Sequence, residues 1–121
     1  MHKLFSAAAV AFLIAGAAMA DDVDHYAAKP SDTLEEALAN FSEYNNRMAE
    51  VLSREDLDFN DMQEIHQFTY TIEVALAKIN EESEALAITL EEVHLASEGD
   101  SPSRLRDNAE DYLERAQLLV P

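Results

Sequence analysis

The sequence predicts an all-α protein in which one long central helix packs with two shorter antiparallel helices. Beyond residue 20, glycine occurs only at Gly99 and proline only at Pro30, Pro102 and Pro121, so these residues mark segment borders. Alanine, leucine and glutamate dominate the segments between them and favour helix. The apolar residues of the middle segment keep helical spacing throughout, which indicates a single long helix.

Residues 1–20 are organised as a secretory signal peptide. A short basic start with Lys3 precedes an apolar stretch of about 15 residues, which is shorter than the ~20 residues needed to span a bilayer. Ala18-Met19-Ala20 then gives the small-x-small pattern at which signal peptidases cleave. We therefore expect cleavage after Ala20, and a mature chain without a membrane span in the periplasm or outside the cell.

The mature chain is strongly acidic. The whole sequence has 8 Lys and Arg, 25 Asp and Glu, and a formal net charge of −17. Cleavage after Ala20 removes only Lys3 among them, so the mature charge is 7 − 25 = −18. Such a chain repels nucleic acid and anionic lipid, and it favours cations, basic partners or simple solubility. It also lacks cysteine, so its core has to hold without disulfides.

A polar lead-in, residues 21–32, precedes the helical domain, residues 33–121. The first helix is predicted to begin near Thr33, because Thr33 and Glu36 have the spacing of a capping box. It is predicted to end near Ser53. Its predicted apolar stripe consists of Leu34, Leu38, Phe41, Met48 and Leu52.

The second helix is predicted to begin after Asp58, a favourable N-cap with Asp61 in the first turn. Its predicted buried seam, in alternating steps of three and four residues, comprises Met62, Ile65, Thr69, Ile72, Leu76, Ile79, Ser83, Leu86, Leu90, Val93 and Ser97. The alternation continues without a slip through residues 77–87, so we expect one helix from about Phe59 to Glu98, ~60 Å long. Gly99 is then expected to supply a left-handed cap.

The third helix is predicted to open with Ser101 as N-cap and Pro102 at the first helical position. Its predicted stripe consists of Leu105, Ala109, Tyr112, Ala116 and Leu119. Together the outer helices are about as long as the middle one, so the first should lie along its N-terminal half and the third along its C-terminal half. A turn at Asn80 to Ser83 would instead give an up-down-up-down four-helix bundle of the cytochrome b562 kind.

The long helix is apolar on more than one face, which is typical of a helix buried by more than one neighbour. Away from the predicted seam it carries Tyr70, Val74, Ile88 and Leu95. Two short helices cannot cover these residues as well as the seam. We therefore expect a homodimer that pairs the long helices, with these four side chains as the interaction surface.

The candidate metal ligands are His66, Glu91 and His94. Glu91 and His94 have Glu-x-x-His spacing, which places a carboxylate and an imidazole on one helix face, as in di-iron carboxylate bundles. On one continuous helix, however, His66 and His94 lie about 42 Å apart and cannot bind one ion within a chain. In an antiparallel dimer, His66 of one copy would approach His94 of the other.

The sequence contains candidate ligands for other cofactors. A b-type haem needs axial ligands on facing helices, and the candidates are Met48, Met62, His66 and His94. Covalent c-type haem is excluded because Cys-x-x-Cys-His does not occur. A looser site for Ca²⁺, Cu²⁺ or Zn²⁺ is offered by Asp21, Asp22, Asp24 and His25. The prediction is that no cofactor is bound, with a divalent metal or b-type haem as the alternative.

The residue patterns do not indicate an enzyme. The chain has no cysteine nucleophile, and no serine stands in a Gly-x-Ser-x-Gly turn. A helical rod also offers little concavity for a substrate. We therefore predict that the protein is not an enzyme.

Three segments resemble a family of small exported proteobacterial proteins of unknown function. They are TLEEALANFSEYN (33–45), IHQFTYTIEVALAKI (65–79) and LEEVHLASE (90–98), and the lead-in VDHY…KP adds to the similarity. The resemblance covers nearly the whole mature chain. It implies export and helical character, and it carries no activity or site residues.

The predicted function is that of a non-catalytic periplasmic helical protein that acts through protein–protein contact, as a homodimer and without nucleic acid. The alternative is a periplasmic metal- or haem-binding helical bundle that uses His66 and His94.

Overall fold

The computed structural model describes residues 27–121, which form three helices: α1 (Leu34–Leu52), α2 (Phe59–Ser97) and α3 (Pro102–Leu119). The predicted all-α arrangement with a long central helix is confirmed. Because α2 continues without a break through residues 77–87, the four-helix alternative is wrong. The predicted signal peptide and the first part of the lead-in lie outside the described residues.

Each helix begins at the predicted N-cap. The Thr33 hydroxyl accepts a hydrogen bond from the Glu36 backbone N–H at 3.2 Å, and the Glu36 carboxylate accepts one from the Thr33 N–H at 3.3 Å. Asp58 and Asp61 form the same reciprocal pair, with both bonds at 2.9 Å. Ser101 caps α3 immediately before Pro102.

The predicted left-handed cap at Gly99 is wrong. Glu98, the C-cap that follows α2, keeps right-handed helical angles (φ −88°, ψ −9°), and no glycine in residues 27–121 has a positive φ. The Gly99 N–H instead donates to the Ala96 carbonyl at 3.3 Å. This i to i+3 bond tightens the last turn and satisfies a terminal carbonyl without a left-handed residue.

The two outer helices cover successive halves of α2, as predicted. In the N-terminal half, the rings of Tyr44 on α1 and Phe68 on α2 pack edge to face, with centroids 5.8 Å apart. In the C-terminal half, Nη1 of Arg115 on α3 donates to Oγ1 of Thr89 at 2.8 Å. The start of α1 and the end of α3 come together beside Glu82, where they line a shared depression.

The buried stripes of α1 and α2 differ from the predicted ones by about one residue. On α1 the buried residues are Leu34, Ala37, Asn40, Tyr44 and Val51, whereas Leu52 is exposed. On α2 they are Asp61, Phe68, Thr71, Ala75 and Ala96, whereas the predicted seam residues Met62, Leu76 and Leu90 are exposed. Three of the buried residues are alanines, Ala37, Ala75 and Ala96, and such small side chains let helix axes approach closely where they meet.

Among the remaining predicted seam positions, Ser83 and Ser97 are also exposed, whereas the large apolar residues are covered in part. Ile65, Ile72, Ile79, Leu86 and Val93 of α2 are half-buried. On α3, the predicted stripe Leu105, Ala109, Tyr112, Ala116 and Leu119 is also half-buried. The main apolar cluster, formed by Tyr44, Val51 and Phe68, therefore lies between α1 and the N-terminal half of α2.

A small polar cluster fixes the chain that precedes α1. Oγ1 of Thr71, which is fully buried, accepts a hydrogen bond from the Lys29 backbone N–H at 3.0 Å. The buried Asn40 side chain donates to the Pro30 carbonyl and to Oγ of Ser31, both at 3.0 Å. Because buried polar groups need partners, these bonds hold residues 29–31 against α1 and α2.

Replacing Thr71 with Val is expected to destabilise the fold by about 1–3 kcal/mol, because the Lys29 N–H loses its acceptor while side-chain volume is nearly kept. Chemical denaturation measures the loss, and amide exchange at Lys29 should accelerate. The control, measured in protein dilute enough to be monomeric, is Thr69→Val, since the Thr69 hydroxyl donates within its own helix, to the His66 carbonyl. Equal losses in the two variants would contradict a special role for Thr71.

Candidate functional site: the outer face of the long helix

His66 is exposed on the side of α2 that α1 and α3 leave uncovered. Its Nε2 lies 3.1 Å from the Tyr70 hydroxyl, one turn further along the helix. The two rings also pack edge to face, with centroids 5.1 Å apart. The imidazole is therefore held by a neighbour on its own helix.

His94 is likewise exposed and pairs within its own helix. Its Nε2 lies 3.0 Å from Oε1 of Glu98, and Glu91 stands one turn earlier on the same side. A carboxylate at this distance from an imidazole orients the ring. The arrangement is that of a helix-surface pair near the C-terminus of α2.

The continuous helix keeps the two histidines apart. They are 28 residues apart in sequence on a single helix, which corresponds to about 42 Å. One metal ion or haem therefore cannot take both as ligands from one chain. Within residues 27–121, no group of three or more His, Asp or Glu side chains is arranged to hold a metal ion. The acidic cluster that includes His25 lies outside this range.

The predicted interaction residues lie on the uncovered side of α2. Val74, Ile88 and Leu95 are 37–69% exposed, and Tyr70 is half-buried beside His66. They belong to a helical row that we call the acidic stripe, because it contains three glutamates among its apolar residues. It consists of Tyr70, Val74, Ala77, Glu81, Glu84, Ile88, Glu91 and Leu95.

A second row on the same side carries almost no charge. Its large apolar members, Phe59, Met62, Leu76 and Leu90, are 42–71% exposed. We call this row the charge-poor stripe, and it consists of Phe59, Met62, His66, Thr69, Glu73, Leu76, Asn80, Ser83, Ala87, Leu90, His94 and Ser97. Sequence reasoning assigned several of these residues to the buried seam, because periodicity alone does not tell which of two neighbouring rows is covered.

The carboxyl groups with lowered pKa lie beside the helix contacts. A backbone N–H of Asp58, and then the Arg54 guanidinium, lower the pKa of Asp61. A hydrogen bond from Lys29 lowers the pKa of Glu43. The Lys78 ammonium, 2.8 Å from Glu82, lowers the pKa of that carboxyl. These three carboxyl groups contribute to the stability of the fold. None of them belongs to either outer stripe of α2.

The link between Asp61 and pH can be tested directly. Its pKa is lowered in the folded state, so its stabilising contribution is complete above about pH 4, the ordinary range of an unfolded aspartate. The contribution is lost as pH falls through the lowered folded-state pKa. Asp61→Asn should therefore melt at a lower temperature at pH 7, and its melting temperature should fall less than that of the wild type on acidification.

The matched variant is Arg54→Gln, which removes the ion pairs of Arg54 with Asp61 and Glu64 and keeps the hydrogen bond from the Asp58 backbone to Asp61. We expect its pH dependence to lie between those of the wild type and Asp61→Asn in thermal denaturation followed by circular dichroism. Parallel curves for all three proteins would contradict this account of Asp61.

The fold and its outer face define a small all-α protein in which one long helix is covered on one side by two shorter helices. The chain belongs to a family of unknown function, DUF6746, whose family model matches residues 1–121. Comparisons with curated proteins and with solved structures found no match. No helix in the described part of the chain is long and apolar enough to cross a membrane.

Proposed function

We propose that the protein is an exported, non-catalytic helical protein that acts through protein–protein contact, as a homodimer in which the long helices pair. The observation that carries the proposal is the one-sided cover of α2. Its outer side exposes apolar side chains along both stripes, including Phe59, Ile88 and Leu90. A helix with apolar residues on opposite sides is typically buried by neighbours on both.

Electrostatics opposes this association and gives it a testable signature. Each copy has a formal net charge of −17, or −18 after removal of residues 1–20, so two copies repel one another. Salt screens repulsion between exposed charges, with a Debye length of about 10 Å at 0.1 M. Self-association should therefore tighten as NaCl is added, whereas binding of a basic partner would weaken.

Light scattering over a range of protein and NaCl concentrations tests the proposal. We expect a dimer that is favoured by salt, and that is weakened by at least one of the outer-face changes Ile88→Glu and Leu90→Glu. The matched control is Leu113→Glu on α3, which adds the same charge at another exposed leucine and should leave the dimer intact. A strict monomer at high concentration would overturn the homodimer.

Export rests on the pattern of residues 1–20 and needs its own measurement. We expect the protein recovered from the periplasm or medium to begin at Asp21 by mass spectrometry. Recovery from the cytoplasm with the first 20 residues still attached would overturn this part of the proposal.

Metal or haem binding by His66 and His94 would need two copies of the chain, because one chain holds them about 42 Å apart. The proposal accordingly predicts colourless purified protein, and a melting temperature that EDTA does not change. A Soret band, or a stoichiometric metal that is lost in His94→Ala, would replace contact with cofactor binding as the function.

A further inference from the structure

The two outer stripes of α2 differ in what they can bind. The acidic stripe contains Glu81, Glu84 and Glu91, whereas the charge-poor stripe contains Glu73 as its one Asp, Glu, Lys or Arg over twelve positions. Two copies that met through their acidic stripes would bring six glutamates together, and like charges at an interface cost affinity. Two copies that met through the charge-poor stripe would bring only two.

The chemistry of the charge-poor stripe favours a second copy over a charged partner. A basic or acidic partner gains little free energy from a surface without opposite charge. An apolar surface gains free energy by covering this stripe, because apolar area is removed from water. The rest of the chain is rich in acidic groups, so this row is where two such chains can approach with the least repulsion. Its small members, Ser83 and Ala87, also allow the helix axes to come close.

The direction of pairing follows from Glu73. In a parallel pair, Glu73 of each copy would face the same residue of the other. In an antiparallel pair with full overlap, Glu73 faces Ser83 of the second copy, and the two glutamates are ten residues apart along the axis, about 15 Å. This separation exceeds the Debye length of about 8 Å at physiological ionic strength. Antiparallel pairing therefore removes the only like-charge contact that the stripe contains.

The same full-overlap register matches large side chains with small or polar ones along the whole helix. Across a two-fold axis near Lys78, the facing pairs are Phe59 with Ser97, Met62 with His94, His66 with Leu90, Thr69 with Ala87, Glu73 with Ser83 and Leu76 with Asn80. A two-fold interface has to be self-complementary in this way. The stripe begins at the first residue of α2 and ends at its last, so no part of it is left unpaired.

We propose that a second copy of the chain docks antiparallel on the charge-poor stripe in this register, which leaves the acidic stripe facing outward. The inference rests on the proposed homodimer and adds its surface, direction and register. It also places His66 of one copy about one helical turn from His94 of the other, since the residue facing His66 is Leu90 and His94 follows four residues later at ~1.5 Å per residue.

Disulfide trapping tests the register without background, because the chain has no cysteine. The double variant Thr69→Cys/Ala87→Cys, which keeps Glu73, should form disulfide-linked dimers on mild oxidation, seen on non-reducing gels. Each single variant should not, because the axial offset of about 27 Å exceeds the ~4 Å between the Cβ atoms of a disulfide. The same offset prevents a bond within one chain.

The matched control is Ala77→Cys/Leu95→Cys, which has the same spacing on the acidic stripe and keeps its three glutamates. It should not crosslink. Crosslinking of the control but not of the test pair, or crosslinking of either single variant, would overturn the inference and leave the homodimer standing. A dimer by light scattering with no crosslink in any variant would do the same. A protein that is monomeric in light scattering and gives no crosslinks would overturn both.

Discussion

Phe68→Ala is expected to lower the free energy of unfolding by about 3–5 kcal/mol, the range found for removal of a buried phenylalanine ring. Phe68 is at the centre of the apolar cluster, against Tyr44 and Val51. The change removes apolar area and leaves a cavity that one short helix on α2 cannot close. Small domains have only about 5–15 kcal/mol of stability, so a loss of this size can unfold the chain. Phe68→Leu, which removes less apolar volume, should therefore be measured as well. Urea denaturation measures both variants.

The control for this prediction is Phe59→Ala, since Phe59 is 71% exposed. In protein dilute enough to be monomeric, its effect should stay within about 0.5 kcal/mol. If Phe68→Ala cost no more than Phe59→Ala, the cluster between α1 and α2 would not be the main source of stability.

Glu84→Pro is expected to cost about 3 kcal/mol, because proline in a helix interior removes a backbone hydrogen bond and its ring clashes with the preceding turn. Glu84 is exposed and lies just past Asn80 to Ser83, so little packing is changed. If the chain turned there, residue 84 would open a new helix, where proline is well tolerated. Thermal denaturation therefore separates the two chain paths.

The matched variant is Glu84→Ala, which keeps the helix and should change stability by only a few tenths of a kcal/mol. A proline variant as stable as the alanine variant would contradict a helix that continues through residues 77–87.

Local features of this fold could be predicted from sequence, because their causes are local. The capping pairs Thr33 with Glu36 and Asp58 with Asp61 can be recognised from the spacing of three residues between their members. The continuity of α2 could be predicted for the same reason, since a turn requires a cap, a glycine or a proline and residues 77–87 supply none.

The rotation of each helix about its axis could not be predicted in the same way. Counting large apolar residues favoured Met62, Leu76 and Leu90, whereas the structure buries Ala75 and Thr71 beside them. Which row is covered depends on how closely two helices approach, and that is decided by small residues on both. Nor did the sequence reveal that Thr71 would bind the lead-in, because this contact joins residues 42 positions apart.

The candidate site was predicted in part. The uncovered side of α2 and the separation of His66 from His94 follow from helical geometry, and the structure shows both. The charge-poor stripe was missed because half of its residues belong to the predicted buried seam. The signal for it was the same periodicity, read together with the near absence of charge in an acidic chain.

The free energy needed for local opening should differ between the two halves of the fold. The N-terminal half has the apolar cluster and the polar ties to residues 29–31, whereas none of the residues of α3 is buried. Amide protons of α3 should therefore exchange when α3 frays or detaches from α2, while α1 stays packed on the N-terminal half of α2. In the proposed dimer, the paired α2 helices would hold one another rigid, while α3 of each copy would still detach and rebind.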